Sequence, residues 1–151
     1  MRLLFVCTGN ANRSALAEAV MRKIIPDSRV DDIVVASCGT KVPAGLQRDE
    51  LMCRIAHEHG YDMEGASIPM TEDLLNSADI IIVMTEHQRN EVTRVLVYSH
   101  WDRIVLFNNY CFGVKNDLAD PYFQSIAVYE NCFKTIEQGC KEIIKKLTKD
   151  K

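Results

Sequence analysis

The sequence predicts an α/β fold: a three-layer sandwich with a four-stranded parallel sheet and helices on both faces. Three observations predict it. Short, largely apolar runs at residues 3–7, 33–37, 80–84 and 103–107 read as buried strands. Segments with apolar residues at helical spacing lie between them. The strands carry continuous apolar runs rather than alternation, which belongs to a parallel sheet covered on both sides.

Each element has its own signal. The run 3–7 stops at Thr8-Gly9-Asn10. Residues 14–25 place Leu16, Ala17, Val20, Met21, Ile24 and Ile25 on one helical face, and Pro26 closes that helix. The second strand, 33–37, is stopped by Gly39. A helix over 46–59 turns Leu51, Met52, Ile55 and Ala56 inward and ends at Gly60. Thr71 caps a short helix whose first turn holds Glu72 and Asp73. Residues 80–84 form the most hydrophobic run and read as a central strand. Thr85 and Gln88 have capping-box spacing for a helix reaching about Leu96. After the strand 103–107, residues 108–123 read as irregular. A long helix over 126–147 sets Ile126, Tyr129, Phe133, Ile136, Cys140, Ile143, Ile144 and Leu147 on one side. No repeat or linker interrupts the chain, so residues 1–151 are read as one domain.

Composition narrows the function classes. The net charge of −3 gives no reason to expect nucleic acid as a partner. No stretch approaches a membrane span, so no membrane insertion is expected. The apolar run before Cys7 is too short for a lipoprotein signal. The six cysteines, Cys7, Cys38, Cys53, Cys111, Cys132 and Cys140, form no C-x-x-C pair. They read as free thiols in a reducing cytoplasm, with Cys38 a small buried filler. His57 and His59 sit at a helix end as solvated residues without a third ligand nearby. No metal and no other cofactor is expected.

The chemistry concentrates after the first strand, where Cys7-Thr8-Gly9-Asn10-Ala11-Asn12-Arg13-Ser14 leads straight into a helix. In parallel sheets, ligands bind beyond the carboxyl ends of the strands. A helix start offers unpaired N–H groups and the positive end of the dipole, and a loop of small residues can curl such groups around an anion. Gly9 is read as the residue that permits the unusual backbone angles. Arg13 adds a planar fork for two phosphate oxygens. Cys7 lies at the bottom, and these groups all favour its thiolate, a nucleophile facing bound phosphorus. Ser14 can donate to that sulfur. A bare C-x5-R arises by chance roughly 0.4 times in a chain with six Cys and nine Arg, so the motif alone is weak. The following Ser, the internal Gly and the strand-to-helix setting give it force. The loop matches neither G-x-x-x-x-G-K-S/T nor G-x-G-x-x-G.

Asp120-Pro121 supplies the complement. A phosphomonoester needs a proton on its leaving oxygen, and a carboxylic acid on a late loop can give it and then activate water. Pro121 biases Asp120 toward an extended backbone.

These motifs resemble the low-molecular-weight protein tyrosine phosphatases. That family has a C-x5-R-S loop near its start, a Ser-small-Gly stretch after the second strand and an Asp-Pro-Tyr/Phe near its end. Here they read 7–14, Ser37-Cys38-Gly39-Thr40 and Asp120-Pro121-Tyr122-Phe123. The resemblance implies metal-free catalysis through a phosphocysteine. Cys7 is the implied nucleophile, Arg13 the phosphate clamp and Asp120 the general acid and base. Thr8, Gly9, Asn10, Ala11, Asn12, Arg13, Ser14 and Tyr122 are the implied phosphate- and substrate-binding residues. Asn10, Ser14 and Ser37 are the implied network that shapes the loop. Asn12 departs from the family by replacing a second loop cysteine, which removes a thiol able to trap the oxidised nucleophile. Ala15 replaces the usual proline, and a histidine network partner is missing before 67–71. Thr8, Ala11 and Pro43 stand at wall positions, leaving Tyr122 and Phe123 as aromatic candidates for a phosphotyrosine ring.

The partner expected is a phosphorylated protein, with phosphotyrosine as substrate. Phosphoarginine competes, because arginine phosphatases of this type carry a small residue where this chain has Ala11. An arsenate reductase of related fold needs relay cysteines that the loop does not supply. A phosphate-binding module without turnover has no use for Asp120.

Overall fold

The computed structural model describes residues 1–149. Four strands, β1 (Arg2–Cys7), β2 (Val34–Gly39), β3 (Ile80–Val83) and β4 (Ile104–Leu106), form one all-parallel sheet in the order β2-β1-β3-β4. The helices are α1 (Arg13–Ile24), α2 (Glu50–Glu58), α3 (Glu72–Ser77), α4 (Glu86–Thr93), α5 (Phe107–Phe112) and α6 (Ile126–Thr148).

Side-chain alternation along β1 divides the core. Leu3, Phe5 and Cys7 face α1, α2, α5 and α6, in a cluster with Leu16, Met21, Met52, Phe107, Phe133 and Ile136. Leu4 and Val6 face the other way, into a smaller cluster with Leu75, Val92, Leu96 and Ile104 around α3 and α4. Cys38, paired in register with Val6, lies on that second face. The long apolar side of α6 makes the first cluster the larger, with Tyr129, Phe133, Ile136, Cys140 and Ile143 all buried.

The expected caps form. Thr71 Oγ1 accepts from Leu74 N, and Thr85 with Gln88 closes a capping box at α4. Gly60 takes the left-handed conformation after α2. Trp101 packs edge-on against Tyr98 and donates its indole N–H to Leu96 O at 2.8 Å.

Several expectations need correction. Residues 107–112 form α5 rather than the end of a strand and an irregular loop. The helix expected over 46–59 begins only at Glu50, because Asp49 accepts from Met52 N and serves as its N-cap. Helix α4 ends at Thr93. Strand β2 runs two residues past Ser37, paired with β1 as far as Gly39. Ile126 is exposed, since it precedes the part of α6 that meets the sheet layer. His59 is tied down: a ring nitrogen bonds Ile55 O at 2.9 Å, and its ring lies 4.3 Å from that of Phe133.

The strand order fixes where a ligand can sit. From β1 the chain crosses first to β2 on one side, and later places β3 on the other. This topological switch leaves a crevice beyond the C-terminal end of β1, where Cys7 lies.

Candidate active site

At that crevice a cavity of about 400 Å³ is lined by Cys7, Thr8, Gly9, Ala11, Asn12, Arg13, Leu46, Gln47, Asp49, Glu50, Asp120 and Tyr122. Cys7, Thr8, Gly9, Ala11, Asn12, Arg13, Asp120 and Tyr122 are therefore brought together, while Asn10, Ser14 and Ser37 are not part of the lining. Nor is Pro43; its expected place in the wall is taken by Leu46.

The backbone of the loop is organised by its carbonyls. Cys7 O accepts from Thr40 N at 3.0 Å, Thr8 O from Lys41 N at 2.9 Å and Ala11 O from Asp49 N at 2.7 Å. Asn10 O accepts from the Ser67 hydroxyl at 3.0 Å, and Asn12 O from Leu16 N at 2.9 Å. The carbonyls are thus tied to the surrounding protein. The backbone N–H groups of residues 8–13 make no hydrogen bond to any described residue. A run of unspent donors after a buried thiol is the arrangement that binds an oxyanion.

The left-handed residue in the turn is Asn10, at φ 54°, and not Gly9. Asparagine tolerates this conformation better than most residues, and here its side chain enforces it. Asn10 Nδ2 donates to Ser14 Oγ at 2.8 Å and to Ser37 Oγ at 2.9 Å. Its Oδ1 accepts from Ile68 N at 2.8 Å and Arg48 Nη2 at 3.3 Å. Ser37 donates onward to Glu18. Arg48 and the Ile68 amide thus complete the partners of the Asn10 side chain.

Ser14 Oγ lies 2.9 Å from Cys7 Sγ and 3.3 Å from Cys38 O. Its hydroxyl receives the Asn10 amide, so its own proton is available to the sulfur, the nearer acceptor. Arg13, 4% exposed, donates through Nη1 to Leu118 O at 2.7 Å, and its Nη2 is 3.6 Å from Asp120 Oδ2. The buried Arg13 Nε has no partner among the described residues and, together with the Nη2 group, is left as a donor to an oxyanion. Asp120 is half exposed at the rim, and its Oδ1 accepts from Tyr122 N at 3.1 Å. Tyr122 and Phe123 stack with ring centroids 4.1 Å apart, and only Tyr122 lines the cavity.

The other thiols are held in their neutral form. Burial pushes Cys38, Cys111 and Cys132 up to about 12, with the charge of Cys7 adding to the first and last. Burial likewise raises Cys53 to about 11 and Cys140 well above the ordinary thiol range.

Gly39 is a close-approach position. A Cβ there would lie 2.5 Å from Thr8 O, 2.7 Å from a Val42 methyl and 2.8 Å from Asn10 N, so two of the three neighbours are backbone of the loop itself. Gly39→Ala is expected to cost about 2 kcal/mol by urea denaturation and to lower activity at temperatures where the variant is still folded.

Comparison with known proteins identifies the family. The family described as low molecular weight phosphotyrosine protein phosphatase matches residues 2–151. The chain belongs to this family. It is 30% identical to a protein-arginine-phosphatase of Bacillus subtilis, over the whole of this chain and 99% of that one. It is 28% identical to the low molecular weight protein-tyrosine-phosphatase Etp of Escherichia coli, covering 97% of this chain and 95% of the relative. A solved protein tyrosine phosphatase of Entamoeba histolytica superposes with TM-score 0.89 at 28% identity, covering 99% and 98% of the two chains. A YwlE arginine phosphatase, a C7S mutant with a phosphorylated active site serine, superposes with TM-score 0.90 at 27% identity, covering 100% and 98%.

Asn12 stands apart within the loop. Both polar atoms of its amide are buried without a partner among the described residues, and it starts α1 without a capping hydrogen bond. The residues that sequence reasoning missed, Leu46, Asp49, Arg48, Glu18 and Leu118, lie outside the motif and reach the loop through tertiary contacts.

Proposed function

We propose that this chain is a cysteine-dependent protein tyrosine phosphatase acting through a phosphocysteine. The observation that carries the reading is the loop of unspent N–H donors, residues 8–13, curled after Cys7. The phosphate dianion sits in that ring, with Arg13 gripping two oxygens. The Cys7 thiolate attacks phosphorus as the bond to the tyrosine oxygen breaks, and the Asp120 carboxylic acid gives its proton to that oxygen. Water then attacks the phosphocysteine, with the Asp120 carboxylate taking its proton and Ser14 hydrogen-bonding the departing sulfur. Leu46 and Tyr122 supply apolar wall for the ring. The substrate is a phosphorylated protein, and the setting proposed is the cytoplasm. No helix among the described residues is long and apolar enough to cross a membrane.

Phosphoarginine is the second reading, favoured by specific features of the same cavity. Ala11 leaves room beside the loop, and Asp49, Glu50 and Asp120 put carboxylates around the mouth, which suits a guanidinium. The test is hydrolysis of matched phosphotyrosine and phosphoarginine peptides. A higher kcat/KM on phosphotyrosine supports the first reading, and the reverse ratio selects the second.

Asn12 has a consequence for redox behaviour. With no thiol at that position, oxidised Cys7 has no loop partner with which to form a protective disulfide. Prolonged peroxide treatment is expected to inactivate the enzyme irreversibly toward dithiothreitol, while Asn12→Cys regains activity on reduction. Full recovery of the wild type would contradict this.

A further inference from the structure

Gln88 belongs to the capping box of α4, yet one of its contacts has no part in capping. Its Oε1 accepts from Met84 N at 3.0 Å and Thr85 N at 2.8 Å. Two backbone donors converging on one atom fix the orientation of the amide, so the other end is the NH2 group. That Nε2 donates to Thr8 Oγ1 at 3.1 Å, across eighty residues of sequence. Gln88 is almost completely buried, so the contact is held rather than incidental.

The consequence falls on Thr8. Its oxygen is already an acceptor for Gln88, so its proton must point elsewhere. That proton meets no acceptor among the described residues. Thr8 lines the same cavity as Cys7 and Arg13. We infer that Gln88 is a positioning residue that holds the Thr8 hydroxyl as a hydrogen-bond donor to the bound phosphoryl group. The inference rests on the phosphatase reading above, and adds to the backbone donors a side-chain donor whose direction is set from the opposite face of the sheet.

Capping and positioning can be separated with one near-isosteric change. In Gln88→Glu a carboxylate oxygen still accepts from Met84 N and Thr85 N, so the cap survives. The other oxygen is an acceptor where Nε2 was a donor, and it draws the Thr8 proton away from the cavity. The measurement is competitive inhibition by inorganic phosphate of p-nitrophenyl phosphate hydrolysis, with the melting temperature followed alongside. The phosphate inhibition constant is expected to rise about tenfold in Gln88→Glu and in Thr8→Val, the lower range for one hydrogen bond to a charged group. Thr8→Ser, which keeps the hydroxyl, is expected to stay near wild type. In the double variant Thr8→Val/Gln88→Glu the second change is expected to add little. Wild-type phosphate binding in Thr8→Val overturns the inference. So does a Gln88→Glu penalty that persists in full without the Thr8 hydroxyl, since the carboxylate would then act directly on the anion. If Gln88→Glu does not fold, the comparison of Thr8→Val with Thr8→Ser decides. A wild type that neither turns over the aryl phosphate nor binds phosphate overturns the phosphatase reading itself, an outcome distinct from equal binding by wild type and variants.

Discussion

Cys7→Ser is expected to abolish aryl phosphate hydrolysis, by at least about 10⁴-fold in kcat, while phosphate binding survives. The expectation follows from the division of labour at the site. Binding is carried by the N–H groups of residues 8–13 and by Arg13 Nε and Nη2, and none of these is altered by exchanging sulfur for oxygen. Turnover is carried by the sulfur, since a serine hydroxyl at the same place is a far weaker nucleophile than a thiolate, and any phosphoserine formed there is a stable ester with a poor leaving group. Removing the nucleophile from a set of groups that act together costs about as much as removing the set. The check is steady-state kinetics on p-nitrophenyl phosphate together with calorimetric titration of inorganic phosphate. Retention of a tenth of the activity would remove Cys7 from its role. Loss of phosphate binding together with activity would show that the loop itself had collapsed.

Asp120→Ala is expected to lower kcat by roughly 10²- to 10⁴-fold, the usual worth of a positioned general acid. The fall should be steepest for esters of weakly acidic alcohols, whose oxygen needs the proton most, and mildest for p-nitrophenyl phosphate. The wild type should show a bell-shaped pH–rate profile, and the variant should lose the basic limb, because activity no longer requires the carboxyl to be protonated. Asp120→Asn separates chemistry from placement: an amide can still meet Arg13 and the Tyr122 N–H, but it cannot give up a proton as an acid. It should therefore be as impaired as the alanine variant. An unchanged pH profile in either variant would assign the proton transfer to another group.

The sheet and most helices could be read in the sequence because their signals are local. The run 80–84 is apolar enough to be nothing but a buried strand, and the Thr85/Gln88 and Thr71 caps sit next to the turns that they close. Helix α5 could not be read, since Phe107-Asn108-Asn109-Tyr110-Cys111-Phe112 consists of weak helix formers. It is stabilised from outside: Phe107 and Cys111 are buried against α6, where Gly139 leaves space for the Phe107 ring. The residues proposed as catalytic, Cys7, Arg13 and Asp120, stand out in the sequence because Cys7 and Arg13 share one loop and Asp120-Pro121 is a distinctive pair. Which residue of Gly9-Asn10 takes the left-handed turn was not legible. Both tolerate it, and the choice is made by Ser37, Ile68 and Arg48, which lie far away in sequence. Leu46 and Asp49 were hidden for the same reason, and Gln88 was legible only as a cap.

The stereochemical course at phosphorus tests the account most directly. An aryl phosphate made chiral with oxygen isotopes would be turned over in the presence of an acceptor alcohol, and the configuration of the transferred phosphoryl group determined. Attack by Cys7 followed by displacement from sulfur makes two in-line inversions, so net retention is predicted. Net inversion would mean a single displacement by the acceptor itself, with no covalent stage on the enzyme.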